Sequence, residues 1–321
     1  MYLRNNLIAW GSAAALLLGT LFLPSNGARL AWLVLAGPLA YLIWMTYRQV
    51  HPTRLLSIGG FTPAAVNLPY EKVVVKSRDG LLLSGWFIAG WRQRGIIMVH
   101  GLAGSMCSVI HQAAALAKSG YCVLLLDLRA HGSSQGNTST FGISEANDIL
   151  GAVDYLQTRS ELDPQRIGAL GISLGAQAVL RGAIDAPQIQ ALVLEGLATT
   201  SLEDHGGKPT SLQRKINYPI NWLVYRLGDW MAGLRAPEST TSVLSKFGRP
   251  VLLIACGRGK EIYFNRLFYA AAKDPKYLWE IPKARHAAGF YQDMDGYRKK
   301  VVGFFDAALA TPKNFPIEFD Q

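Results

Sequence analysis

The chain has little charge, few cysteines and no acidic residue before Glu71. Charged residues make up only 17% of its 321 positions, against 50% hydrophobic. So apolar a composition excludes a disordered chain. Three cysteines, Cys107, Cys122 and Cys256, are too few and too oddly numbered for a disulfide framework. None of them has CxxC spacing, which argues against a cysteine zinc site. No Walker loop, HExxH or other metal-ligand spacing occurs, so neither cofactor nor metal is expected. No GxGxxG follows the first strand, which disfavours a nicotinamide enzyme. Nucleic-acid-binding motifs, internal repeats and low-complexity tracts are also missing, so no nucleic acid partner is expected.

What charge there is leans basic. Lys and Arg number 32 and Asp and Glu 22, a net charge of +10. That balance favours anionic partners such as a cytoplasmic membrane surface. Residues 1–47 carry only Arg4 and Arg29. Two apolar runs fill this region, Leu7–Leu23 and Leu30–Tyr47, separated by the turn-forming residues 24–29. Each is near the lower length limit for a bilayer-spanning helix. Pro38 would kink the second, and Trp10, Trp32, Trp44 and Tyr47 suit the interface. The expectation is a two-helix membrane hairpin. Arg4 precedes it and Arg48, Arg54 and Lys72 follow it, so the positive-inside rule puts both ends in the cytoplasm. The alternative for the first run is a cleaved signal peptide.

Residues 48–70 read as a linker with three prolines. From Glu71 onward, β-rich runs alternate with helical stretches. The runs are Lys72–Lys76, Leu81–Ile88, Gly95–Val99, Tyr121–Leu126, Arg166–Ile172, Ile189–Leu194, Pro250–Ala255 and Tyr277–Ile281. Near-continuous apolar runs such as VLLLD and VLLIA suit parallel strands buried on both faces. The first two runs have no helix between them and predict an antiparallel edge. The rest is βαβ and predicts a doubly wound sheet. More than 50 residues separate Leu194 from Pro250. Within them Ile216, Ile220, Leu223, Leu227, Trp230 and Leu234 recur at helical spacing. This amphipathic helix either packs on the core or forms a lid over an apolar site.

The informative motif is Gly171-Ile172-Ser173-Leu174-Gly175. It follows a β-type run and opens a helix, the setting of a nucleophile elbow. A serine hydroxyl is a weak nucleophile until a base takes its proton. Six histidines are available: His51, His100, His111, His131, His205 and His286. His286, in the loop after the last strand, fits the chain order Ser…acid…His. His100-Gly101-Leu102-Ala103-Gly104 follows the third strand, where backbone N–H groups could stabilise an oxyanion. Leu102 and Leu174 would supply the two donors. Asp127, Arg129 and His131 lie in a neighbouring loop and read as scaffold.

On HGLAG, DLRAHGSS, GISLGA, PVLLIACG and RHAAG, the sequence resembles the α/β-hydrolase superfamily over about Val73 to Leu309. It is most similar to bacterial serine hydrolases of the serine-aminopeptidase-like or dienelactone-hydrolase-like branch. The resemblance implies an α/β-hydrolase fold, with Ser173 as nucleophile, His286 as base, and Leu102 and Leu174 as oxyanion donors. The alternation from Glu71 onward and the long 194–250 connection predict a domain over 71–311 with a lid insertion at about 197–249 and a tail at 312–321. The chain departs from the family pattern after PVLLI, where Cys256–Glu261 contains no Asp. Lys260 stands about where an aspartate is usual. Glu261, the only carboxylate between Glu238 and Asp274, is the candidate acid. Glu203 or Asp204 is the rival, and a mere helix N-terminal carboxylate is the plain alternative for Glu261.

The expected function is hydrolysis of an ester or thioester with an apolar acyl group. Peptidase or acyltransferase activity is the alternative within the fold. A non-catalytic membrane protein that binds an apolar ligand is the alternative outside it. The superfold hosts many chemistries, so the motifs leave the substrate open.

Overall fold

The computed structural model describes residues 25–55, 61–205 and 212–310. Eight strands form one sheet in the order β1-β2-β4-β3-β5-β6-β7-β8. They are β1 (Glu71–Lys76), β2 (Leu82–Ile88), β3 (Gly95–Val99), β4 (Cys122–Leu126), β5 (Ile167–Ile172), β6 (Ile189–Glu195), β7 (Val251–Cys256) and β8 (Lys276–Ile281). β2 pairs antiparallel with both β1 and β4, and every other pairing is parallel.

Helices cover both faces, so the central strands are buried throughout. Successive β3 residues serve opposite faces. Ile97 and Val99 join one core with the helices Ala146–Leu156, Leu174–Ile184 and Lys260–Ala271. Ile96 and Met98 join the other with the helices Ile110–Lys118 and Met294–Ala308. This is period-2 alternation on a two-sided sheet. Each fully buried Leu, Ile or Phe contributes roughly 1.5–3 kcal/mol. β1, at the sheet edge, buries only Val75 and exposes four of its six residues.

The topology fixes where chemistry can occur. β3, β5, β6, β7 and β8 run parallel, so their carboxyl ends meet on one edge of the sheet. Ligands of open α/β sheets bind along that edge. His100, Ser173, Glu195 and Cys256 all lie at it, at or just past their strands' ends.

By internal packing the chain divides into two units, one of them residues 52–207 with 237–321. The other contains the helices Asn26–Val50 and Leu212–Ala232, which pack on each other. Among the described residues no helix is long and apolar enough to cross a membrane. That corrects the expected spanning hairpin as far as the described residues go. The first expected span, residues 7–23, lies outside them. The second falls within the helix Asn26–Val50, which contains Pro38. On the insertion helix, Ile220 is 55% and Trp230 75% exposed. The helix ends at Ala232, before Leu234.

Candidate active site

Ser173 sits in the sharp turn between β5 and the helix Leu174–Ile184, at φ 54 and ψ −109. A non-glycine residue there is strained by about 1–3 kcal/mol. The flanking glycines make the turn possible. A Cβ on Gly171 would lie 2.2 Å from the Gly175 carbonyl oxygen. One on Gly175 would lie 2.6 Å from the His100 carbonyl oxygen. Strand, turn and helix therefore approach more closely than any side chain permits. The Ser173 N–H donates to the Glu195 carbonyl at 2.8 Å, tying the turn to β6.

The structure brings Ser173, His286 and Glu261 together. The Ser173 hydroxyl donates to His286 Nε2 across 2.9 Å. His286 Nδ1–H donates to Glu261 Oε2 across 2.6 Å. The other oxygen of Glu261 accepts from the Cys256 backbone N–H at 2.7 Å. Each carboxylate oxygen thus has a donor, and the imidazole is held in the tautomer that leaves Nε2 free to accept. The hydrogen bond and charge of Glu261 raise the His286 pKa above its ordinary value, against desolvation. Glu195 adds to the rise through its charge. The imidazole is half-exposed, open to a reactant from solvent.

A hydroxyl bonded to an imidazole, bonded in turn to a carboxylate, can pass its proton to the ring while it attacks a carbonyl. The resulting oxyanion needs donors. The loop after β3 passes beside Ser173, since a Cβ on Gly101 would lie 3.3 Å from the Ser173 Cβ. Leu102 is the next residue and is exposed. Leu174 opens its helix, where backbone N–H groups lack intrahelical acceptors. His100 is fully buried and holds this loop. Its Nδ1–H donates to the Gly101 carbonyl at 2.8 Å, and its Nε2 accepts from Leu128 N–H at 3.2 Å. Burial lowers its pKa to about 4, so it stays neutral.

The rival acids are elsewhere. The Asp204 carboxylate accepts from the backbone N–H groups of Thr200, Ser201, Thr240 and Thr241, clamping two loop segments. Glu203 is exposed. Asp127 accepts from Met106 N–H and Ser133 N–H, and Arg129 is paired with Asp79 and Asp148. His131 is fully buried beside His100. Among the described residues no group of three or more His, Cys, Asp or Glu side chains could hold a metal ion.

Sequence reasoning passed over Glu195 and Gly196. Glu195 is a fully buried carboxylate ending β6. Gly196, at φ 63, faces the imidazole so closely that a Cβ would lie 2.9 Å from His286 Cε1. The available signal was a charge closing an apolar strand, followed at once by glycine.

Known proteins share this architecture. The family described as α/β hydrolase fold matches residues 96–229. A Mycobacterium tuberculosis protein is 32% identical over 262 residues, covering 79% of this chain and 85% of its own. The Arabidopsis thaliana α/β-hydrolase domain-containing protein WAV2 is 26% identical, covering 76% of this chain and 81% of its own. Among solved structures, the Pyrococcus furiosus esterase Pf2001 superposes with a TM-score of 0.65 at 24% identity, over 81% of this chain and 100% of that one. An esterase from Exiguobacterium antarcticum gives 0.57 at 15% identity, over 74% of this chain and 100% of that one. At those identities the two esterases show the fold alone.

Proposed function

We propose, from the premise that the chain belongs to the α/β-hydrolase family, that it is a serine hydrolase of esters or thioesters. Ser173 is the nucleophile, His286 the base and Glu261 the acid. Leu102 and Leu174 donate their backbone N–H groups to the oxyanion. The observation that carries this reading is the unbroken relay of 2.9 Å and 2.6 Å from hydroxyl to carboxylate.

In the forward step the Ser173 oxygen attacks the substrate carbonyl carbon and its proton moves to His286 Nε2. Glu261 stabilises the imidazolium without taking the proton. His286 then protonates the departing alcohol or thiol, leaving an acyl-Ser173 ester. Water, deprotonated by His286, cleaves that ester and restores the enzyme. Peptidase and acyltransferase chemistry would use the same groups with a different leaving group or acceptor.

The proposed substrate has an apolar acyl group and is met at a membrane surface, with the catalytic unit on the cytoplasmic side. The support is the +10 net charge and the exposed apolar residues of the two-helix unit, among them Tyr41, Trp222 and Trp230. The test is an activity panel on the full chain. It runs p-nitrophenyl esters from acetyl to palmitoyl, acyl-CoAs and aminoacyl-anilides, each against Ser173→Ala. Ester hydrolysis that rises with acyl length and is lost in Ser173→Ala is expected. Activity that survives in Ser173→Ala rejects the mechanism, and a strict preference for acetyl rejects the apolar acyl group.

A further inference from the structure

Among the described residues, Glu195 is one of three carboxylates with no exposed surface, beside Glu145 and Asp148. Taking a charge out of water costs several kcal/mol unless donors replace the lost hydration. Here three donors do. Oε1 accepts from Gly289 N–H at 2.8 Å and from the Cys256 thiol at 3.5 Å. Oε2 accepts from the Tyr297 hydroxyl at 2.8 Å. The fit is close: a Cβ on Gly289 would lie 3.0 Å from Oε1.

These contacts reach three of the segments that carry the site. Gly289 lies three residues beyond His286, where the short helix Gly289–Gln292 opens at the end of the histidine loop. Cys256, at the end of β7, gives its backbone N–H to Glu261 and its thiol to Glu195. The Glu195 backbone carbonyl holds the Ser173 N–H. One residue therefore connects the serine turn, the histidine loop and the strand that precedes the acid.

We propose that Glu195 is a positioning residue for the Ser173–His286 pair, an anionic strut that sets the histidine loop against the serine turn and favours the imidazolium formed during reaction. The proposal rests on the serine-hydrolase reading above. Glu195 takes no proton in it. The proton of Ser173 still goes to His286 Nε2 and on to the leaving group. The buried charge acts through the low-dielectric interior, where electrostatic effects are less screened than at a surface.

The charged groups facing Glu195 are Glu261 and His286. The neutral titratable groups facing it are Cys256, Tyr291 and Tyr297. Burial raises the Glu195 pKa, while the Gly289 and Tyr297 hydrogen bonds oppose the rise. The thiol and phenol are both held protonated by burial, so they remain donors.

The test measures the second-order rate of Ser173 labelling by a fluorophosphonate from pH 5 to 9, on the full chain. Glu195→Gln keeps the side chain's shape and removes its charge. Labelling at the optimum is expected to fall about tenfold, with the acid limb moving down by about half a pH unit or more. Tyr297→Phe removes one donor from Oε2 and nothing else. It is expected to shift the limb the same way by less, and it reads the effect even if Glu195→Gln folds poorly. A merely structural role would slow labelling at every pH and leave the limb in place, which overturns the proposal. So does wild-type behaviour in both variants. If the wild-type chain is not labelled at Ser173, the hydrolase reading fails and the proposal fails with it.

Discussion

Glu261 reaches His286 from the first turn of the helix Lys260–Ala271, with 2.6 Å between Oε2 and Nδ1. Its longer side chain covers a displacement of one residue from the position where an aspartate is usual. Glu261 also lies in the first turn of its helix, a position that the helix dipole favours for a carboxylate. Glu261→Gln is expected to lower kcat by roughly 10²–10⁴ with little change in KM, because the lost interaction acts in the transition state. Steady-state kinetics on the best ester of the panel measure it. A silent Glu261→Gln would remove the residue from the mechanism.

The same contact sets a pH dependence. His286 must be neutral to accept the serine proton, and Glu261 raises its pKa. Activity should therefore fall, as pH drops, at a higher pH than an ordinary histidine would dictate. In Glu261→Gln the first cause of the rise is gone, so the residual activity should lose its acid limb at lower pH than wild type. The kcat/KM profile of each protein gives the comparison.

Gly196 tests how tightly the imidazole is held. Its φ of 63 disfavours any side chain, and a Cβ would meet His286 Cε1 at 2.9 Å and Nδ1 at 3.3 Å. Gly196→Ala should push the ring away from Ser173. A displacement near 1 Å costs about 10²-fold in rate. Stability should fall by only about 1 kcal/mol, the cost of a small residue at positive φ. An alanine variant with wild-type kcat would show that the ring has more room than this geometry allows.

The strain at Ser173 predicts opposite effects on activity and stability. Ser173→Gly should abolish hydrolysis and raise stability by about 1 kcal/mol, since glycine adopts this conformation without penalty but loses more chain entropy on folding. Ser173→Ala should abolish hydrolysis and leave stability nearly unchanged. Thermal melts alongside activity separate the two. Equal melting points for the alanine and glycine variants would mean that the turn stores no strain.

How much of this was legible depended on the kind of signal. All eight strands were visible because buried parallel strands are short apolar runs bounded by turns, and VLLLD or VLLIA leaves little choice. Ser173 stood out through its strand–turn–helix setting and His286 through its place after the last strand. Glu261 followed from the absence of any other carboxylate nearby. Glu195 was hidden because its role is tertiary: its partners Gly289 and Tyr297 are about a hundred residues away in sequence. Asp293 separates the helices Gly289–Gln292 and Met294–Ala308 by capping Gly296 N–H. The insertion helix shows the other limit. Periodicity revealed an apolar row but not what, if anything, covers it.

Arg129 anchors a network that should dominate the stability of this edge. Its guanidinium meets Asp148, which has no exposed surface, at 2.7 Å, and Asp79 at 2.7 Å. Even with Arg129 present, burial pushes the Asp148 pKa up to about 6, against the pull of the guanidinium. Arg129→Met leaves that carboxylate without its cation and should cost about 3–5 kcal/mol at pH 8. The sign of the pH effect follows from linkage. In the variant the folded-state pKa of Asp148 rises further above its unfolded value. Between those two values the folded state binds the extra proton, so the variant gains stability as pH falls. Urea denaturation at pH 8 and pH 6 should therefore show the deficit shrinking toward the lower pH. The double variant Arg129→Met/Asp148→Asn should recover part of the loss at pH 8, because the uncompensated charge is gone. If the single variant's deficit is the same at both pH values, Asp148 does not titrate there and the pairing with Arg129 is not what holds the loop.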